Sequence, residues 1–231
     1  MIKIYGYELR RLFLSKYMAA LLILTPIYCM LVLSGETVLG TANTAPFSAW
    51  SLGSYLSRVA PLICLGELLF VTFYTSGAER LASAITSATP ADKLRYAFAR
   101  CGAVLTCVAA ATACALAPAF IFMKILFGWT DYPDLFIPAL IALLPPALFY
   151  LGAGLLAGRI RPVLVYLLMV SVFALSGLPG GWGAAAGRFF SEFPLAAGAL
   201  DPAFAIPAGV LGARACYAGA GAAMLILAAL S

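Results

Sequence analysis

The sequence has no histidine and very few charged side chains. Without histidine, the chain alone cannot build a His-ligated zinc or haem site, or a catalytic triad that uses histidine. The sequence also lacks the pattern G-x-x-x-x-G-K-[ST], so we do not expect it to hydrolyse ATP by the P-loop route. Energy for any work that the protein does must then come from a gradient or from a partner.

Charged residues make up 10% of the chain and hydrophobic residues 64%, whereas soluble domains carry about 25% charged residues. This composition indicates an integral membrane protein, with the lipid bilayer as its solvent. The apolar runs are continuous and lack the two-residue alternation of transmembrane strands, so they favour helices over a barrel.

The 231 residues leave room for six spans, at about 20 apolar residues per helical crossing. We predict an all-α integral membrane fold, a single transmembrane domain over residues 1–231 with six transmembrane helices. The predicted spans are Tyr17–Ser34, Val59–Ala78, Cys101–Met123, Leu135–Ala157, Pro162–Leu178 and Ala208–Leu230.

Lys and Arg fall mostly on one side of these spans. If the N-terminus is inside, the inner segments hold ten of the 14 basic residues, as the positive-inside rule requires. Trp50, Trp129 and Trp182 then lie on the outer side as interfacial anchors. We expect a multi-pass protein of a cell membrane, the bacterial inner membrane, with both termini cytoplasmic. The basic residues do not form a soluble face with interleaved aromatics, so we expect no nucleic-acid binding.

Six cysteines lie in or beside apolar runs and form no C-x-x-C pair. We interpret them as small buried hydrophobes. We predict no catalytic, cofactor-binding or metal-binding residue in the chain, and no enzyme activity of its own.

The first 16 residues have the pattern of an amphipathic helix. On a helix, Glu8, Arg10 and Arg11 lie opposite an apolar face. That face consists of Ile2, Tyr5, Leu9, Leu12 and Phe13. We predict an interfacial helix over 1–16; an ordinary basic flank of the first span is the alternative.

A polar stretch separates the second and third predicted spans. It reads E-R-L-A-S-A-I-T-S-A-T-P-A-D-K from Glu79 to Lys93. Thr89-Pro90 breaks a helical tendency, and Asp92 is positioned to cap the helix that continues into the third span. We predict a helix, a turn and a helix on the inner side. From the residues alone, a loop that only supplies positive inner charge is equally compatible.

This order of motifs resembles ABC-2 type permeases, the membrane subunits of ATP-binding-cassette exporters. The likeness rests on Glu8-Leu9-Arg10-Arg11 before the first span, on the loop just quoted, and on Leu178-Pro179-Gly180-Gly181-Trp182 followed by Phe193-Pro194-Leu195. It extends over nearly the whole chain in architecture. The chain differs at Leu81-Ala82-Ser83, where the family often has a glycine.

The resemblance implies that residues 79–95 form a cytoplasmic coupling segment, which sits in a groove of an ABC ATPase subunit. The implied contact residues are Glu79, Arg80, Ile85, Thr89, Pro90, Asp92 and Lys93. It further implies alternating access driven by two ATPase copies, which bind the ATP and Mg, and a second permease half that is identical or homologous. Residues 180–207 would form an outer, re-entrant segment.

Two charged residues fall inside predicted spans. Glu67 lies near the middle of the second span, where an ionised carboxylate is costly. It is either a cation or proton site or a polar lining of a substrate path, or else a structural carboxyl that is protonated or hydrogen-bonded. We expect Arg214, in the outer part of the last span, to snorkel outward.

Small residues predict where helices approach closely. Gly154-x-x-x-Gly158 and Ala215-x-x-x-Gly219-x-x-x-Ala223 give two such faces.

Other functions stay open beside a permease. A gradient-driven carrier would usually show internal repeats or rows of intramembrane charge. An intramembrane enzyme would need a nucleophile or a metal set. A non-transporting scaffold or immunity protein would need neither.

Overall fold

The computed structural model of the protein describes residues 2–37, 48–77, 79, 93–128, 132–176, 189–190, 192–194 and 203–230. Its regular elements in these ranges are helical. The main helices are α1 Ile2–Phe13, α2 Lys16–Val32, α3 Ala49–Thr75, α4 Lys93–Phe127, α5 Phe136–Ile160, α6 Pro162–Ser176 and α7 Ala208–Leu230. A π-helical turn, Leu33–Thr37, extends α2, and a 3-10 turn, Pro133–Leu135, leads into α5.

Five helices in the described ranges are long and apolar enough to cross a membrane: α2 with its extension, α3, α4, α5 and α7. They indicate a multi-pass membrane protein, as the composition predicts. Helix α6 is apolar but has only 15 residues, about 22 Å at 1.5 Å per residue.

Serine side chains mark two helix starts. The Ser15 hydroxyl accepts a hydrogen bond from the Met18 amide at 3.2 Å, and the Ser48 hydroxyl accepts one from the Ser51 amide at 3.1 Å. Each occupies one of the amides that a helix start leaves unpaired. These caps separate α1 from α2 and place the start of α3 at Ala49.

Helix α3 begins ten residues before the predicted start at Val59. The prediction was wrong because this first part is polar in sequence. Its polar groups are satisfied inside the protein: Ser57 donates to the Ser54 carbonyl, and the Tyr55 hydroxyl donates to the Ala115 carbonyl at 2.6 Å. A polar but internally bonded segment can be buried, and Tyr55 is 3% exposed.

Helix α3 is the centre of the bundle. It contacts α2 and α4, which pack on each other and on α1, and it contacts α5 and α6. Helix α5 in turn packs extensively on α7. Direct contacts between the group α1, α2, α4 and the group α5, α6, α7 are sparse, so α3 joins the two.

Side-chain contacts give the helix directions. Tyr17 of α2 packs on Phe73 of α3, and Leu21 lies at Gly66, so these helices are antiparallel. Helix α5 runs parallel to α3, because Gly154 lies at Leu68 and Gly158 at Thr75. The end of the bundle that holds Thr75, Lys93 and Ile160 also holds α1, and we call it the α1 end. The opposite end is the far end.

Glycines set the closest helix contacts. Gly154 and Gly158 lie directly against α3, which confirms the predicted close-packing face on α5. The predicted face on α7 is not packed within the chain: Ala215, Gly219 and Ala223 are exposed. The close approach there is made by Gly221, where an added Cβ would lie 2.5 Å from the Leu148 carbonyl. The i, i+4 pattern of small residues recurs around α7, so spacing alone does not show which side is packed.

Candidate functional site

Four side chains of alternating charge meet at the α1 end, and we call them the charge cluster: Glu8, Arg11, Glu79 and Arg100. Arg11 donates through Nη2 to Oε2 of Glu79 at 3.1 Å, and its Nη1 lies 3.7 Å from Oε2 of Glu8. Arg100 contacts both carboxylates: its Nε lies 3.4 Å from Oε1 of Glu8, and its Nη2 donates to Oε1 of Glu79. Each carboxylate therefore faces both cations.

The cluster joins three parts of the chain. Glu8 and Arg11 come from α1, Glu79 lies just beyond the end of α3, and Arg100 belongs to the second turn of α4. The two carboxylates are largely withdrawn from solvent, with 2% of Glu8 and 8% of Glu79 exposed. Charges in such a position interact more strongly than at an open surface.

Two tyrosine rings hold the Arg100 guanidinium. Its central carbon lies 4.8 Å from the ring centroid of Tyr74 and 4.3 Å from that of Tyr96. The Tyr96 hydroxyl accepts a hydrogen bond from Arg100 at 2.6 Å and donates to Glu8 at 3.3 Å. Tyr96 and Arg100 are four residues apart on α4, so they share one face.

Helix α1 packs through most of the predicted apolar face, because Tyr5, Leu9 and Leu12 contact the core, but its buried side also includes Glu8. Leu12 and Glu8 are both buried. The Tyr5 side chain reaches from α1 to α4, where its hydroxyl lies 2.7 Å from the Thr106 hydroxyl. Phe13, predicted on the apolar face, is 45% exposed. The helix is rotated toward Glu8 because Arg100 and Tyr96 on α4 offer that carboxylate polar partners.

The pKa of Arg11 reflects this setting. Burial lowers the pKa of Arg11, but the hydrogen bond to Glu79 and the negative charge of Glu79 together raise it by more than burial lowers it. The pKa of Arg11 therefore lies above its ordinary value. Arg11 therefore stays cationic at any physiological pH. The cluster can work as a fixed electrostatic clamp between α1, the end of α3 and α4.

The structure describes only two of the predicted coupling residues. Glu79 is in the charge cluster, and Lys93 is the first residue of α4. The other predicted residues lie outside the described ranges: Arg80, Ile85, Thr89, Pro90 and Asp92. Glu79 directs its carboxylate inward to Arg11 and Arg100, and this is a role that sequence reasoning missed. The signals were present as Glu8-x-x-Arg11 and Tyr96-x-x-x-Arg100, but nothing in the sequence joins them.

Glu67 lies inside the bundle, eight residues before the end of α3. Its exposed fraction is 0%, and among the described residues neither of its carboxyl oxygens has a hydrogen-bond partner. The thiol of Cys64, one turn away on the same helix, lies within electrostatic range of Glu67.

Polar groups continue from Cys64 toward the far end. Cys64 lies within electrostatic range of Tyr150 on α5 and Tyr217 on α7. Arg214, one turn before Tyr217, is 7% exposed, and its Nη2 has no hydrogen-bond partner among the described residues. The expected outward snorkelling of Arg214 is therefore wrong, because the neighbouring helices cover its side chain.

Aromatic rings close the far end around Trp50, which is 1% exposed. The Trp50 ring stacks on Phe193 at 5.0 Å between centroids, and its other aromatic neighbours are Phe189, Phe190 and Phe204. Phe190 lies directly over Gly53 of α3. The described parts of the predicted segment 180–207 thus fold back onto the start of α3. Trp50, predicted as an interfacial anchor, is a packing centre at the far end; Trp129 and Trp182 lie outside the described residues.

All six cysteines are free thiols. Cys29, Cys64 and Cys107 are buried as predicted, whereas Cys216 is exposed on α7. In the described part of the chain, no group of three or more Cys, Asp or Glu side chains is arranged to hold a metal ion.

Comparison of the chain with models of protein families, with curated proteins and with solved structures gave no match.

Proposed function

We propose that the chain is the permease subunit of an ATP-driven exporter of the ABC-2 type. In this proposal it crosses the membrane six times, with α6 as the fifth span, and both termini are cytoplasmic. It works with a second permease half, identical or homologous, and with two copies of a separate ABC ATPase that bind ATP and Mg. The motif order described above is the reason for choosing this family.

The charge cluster is the observation that carries the proposal. The predicted coupling segment runs from residue 79 to 95. The charge cluster contains the first residue of this segment, Glu79, and it includes Arg100 of α4, five residues beyond the end of the segment. A force on that segment reaches α3, α4 and α1 together through these ion pairs. A partner that moves the segment would therefore move three elements of the bundle as one unit.

The charge distribution supports the orientation. Besides α1 and Lys93, the α1 end holds Arg159 and Arg161 at the turn between α5 and α6. Short loops rich in Lys and Arg stay in the cytoplasm. The proposed ATPase contact and the proposed cytoplasmic side therefore coincide.

The decisive experiment is affinity purification of the tagged chain from its native host in mild detergent. The proposal expects a stoichiometric ATPase that carries its own P-loop, with hydrolysis stimulated by the chain. Purification of an intact, folded chain without any such ATPase would contradict it and favour a scaffold or a gradient-driven carrier.

Substitutions then locate the contact. Arg80→Glu should weaken ATPase association, because it reverses a charge in the proposed contact. Arg10→Glu is the matched control: it reverses a charge on the exposed side of α1, outside both the cluster and the coupling segment. Equal association of the two variants with the ATPase would rule out the proposed role of the 79–95 segment.

A further inference from the structure

Glu67 places a carboxyl group inside the bundle, and among the described residues no cation pairs with it. The Cys64 thiol is the titratable group within its electrostatic reach in the described part of the chain. Both carboxyl oxygens lack hydrogen-bond partners there. A carboxylate in this position would be an unpaired buried charge, which is far more costly than a buried neutral acid.

The helices around α3 bring other titratable groups, but none forms an ion pair with Glu67 among the described residues. These groups are Tyr150 of α5, Tyr217 and Arg214 of α7, Cys29 of α2, Cys107 and Arg100 of α4, and Tyr166 of α6. Cys29 lies by Tyr55, toward the far end. Arg100 lies over Tyr74, two turns nearer the α1 end.

We propose that Glu67 is a proton-binding site that locks α3 against α5. With the proton bound, the two helices pack as the structure has them. When the proton leaves, the carboxylate must gain water or a cation, and the helices must separate to admit it. This inference goes beyond the proposed function and does not depend on an ATPase.

The packing beside Glu67 explains why proton release and helix separation are linked. The next residue, Leu68, meets α5 at Gly154, where an added Cβ would lie 2.8 Å from a Leu68 methyl carbon. Two turns further along α3, Thr75 meets α5 at Gly158. Because Glu67 is fully buried beside these tight contacts, water can reach its carboxyl only if the helix packing around α3 opens.

Cys64 provides a reporter of this separation. Its side chain is buried, with 2% exposed, and it lies three residues before Glu67 on the same helix. In a chain with the other five cysteines replaced by alanine, a water-soluble maleimide should label Cys64 only when α3 and α5 separate. The thiol itself reacts faster at high pH, so the labelling rate is compared with that of the same chain carrying Glu67→Gln, a variant that stays neutral at every pH.

The measured quantity is the Cys64 labelling rate of the chain with Glu67, divided by the rate of the same chain carrying Glu67→Gln. We expect it to rise by up to about tenfold per pH unit over the range in which Glu67 begins to lose its proton, and to level off once the carboxylate is the main form. Parallel pH profiles for the two chains would overturn the proposal.

A second experiment reads the proton on the unchanged protein. Dicyclohexylcarbodiimide is an apolar reagent that reacts with protonated carboxyl groups. The acid oxygen bonds to the central carbon of the reagent and the proton moves to one of its nitrogens; the product rearranges to a stable N-acylurea with no atom lost.

We expect the α3 peptide that contains Glu67 to gain the mass of one intact reagent molecule. The modification should decrease as pH rises and be absent in Glu67→Gln. Modification of Glu67 to the same extent at low and at high pH would refute the proton-binding site.

Discussion

Glu8 of α1 and Arg100 of α4 form an ion pair inside the α1 end of the bundle, with Nε and Oε1 3.4 Å apart. The pair joins the first helix of the chain to α4, which begins in the last residues of the predicted coupling segment. It is supported by the rings of Tyr74 and Tyr96 on either side of the guanidinium. The N-terminal helix is therefore anchored to the bundle by charge as well as by apolar packing.

A double-mutant cycle should detect this pair. We expect Glu8→Gln and Arg100→Gln each to lower the free energy of unfolding, and the double variant to lose less than the sum, with a coupling of about 1–3 kcal/mol. Unfolding in detergent micelles, followed by circular dichroism, measures the four free energies. Additive losses would show that the two side chains act independently.

Arg11 and Arg10 provide a matched comparison on one helix. Arg11→Gln removes a cation from Glu79 and should cost about 1–2 kcal/mol, because it leaves a largely buried carboxylate with one cation fewer. Arg10→Gln changes the net charge equally but alters an exposed side chain, so we expect about 0.5 kcal/mol or less. Thermal unfolding of both variants at low and high salt tests this, and only the Arg11 variant should lose part of the salt dependence.

Two glycines on α7 separate close packing from helix propensity. Gly221→Ala should destabilise the protein by about 1–3 kcal/mol through overpacking, because the new Cβ meets the backbone of Leu148, which cannot rotate away. Gly219→Ala should be neutral or stabilising by up to about 1 kcal/mol, because nothing lies within 4 Å of its Cβ. Equal melting temperatures for the two variants would contradict the packing described here.

The aromatic contacts at the far end can be tested with two phenylalanines. Phe190 is 2% exposed and lies over Gly53, whereas Phe136 is 62% exposed at the start of α5. We expect Phe190→Ala to cost about 3–5 kcal/mol and Phe136→Ala to cost little, since its ring keeps an apolar environment in either state. Tryptophan fluorescence offers a second measurement, because loss of Phe190 exposes one side of the Trp50 ring.

Apolar runs predicted much of the fold because lipid requires long helices and few charges. The last predicted span, Ala208–Leu230, coincides with α7, and Leu135–Ala157 differs from α5 by one residue at its start and three at its end. The start of α3 was missed because hydropathy treats serine and tyrosine as exposed, whereas here their hydroxyls bond within the bundle.

The charge cluster could not be predicted for a different reason. Periodicity identifies pairs on one helix, such as Tyr96 and Arg100, but the meeting of α1 with α4 depends on tertiary packing. Helical periodicity grouped Glu8 with the charged residues of α1, opposite the predicted apolar face. Its partners on α4 make burial of this carboxylate favourable, and a single helix cannot show them.

The central position of α3 has a consequence for synthesis. The chain emerges from its N-terminus, so α1 to α4 can assemble before α5, α6 and α7 exist. During that interval the side of α3 that later receives α5 is uncovered at Leu68, the residue next to Glu67. The docking of α5 therefore closes the packing directly beside a carboxyl group that was inserted earlier, which makes the docking of the second group of helices sensitive to the charge of one residue in the first.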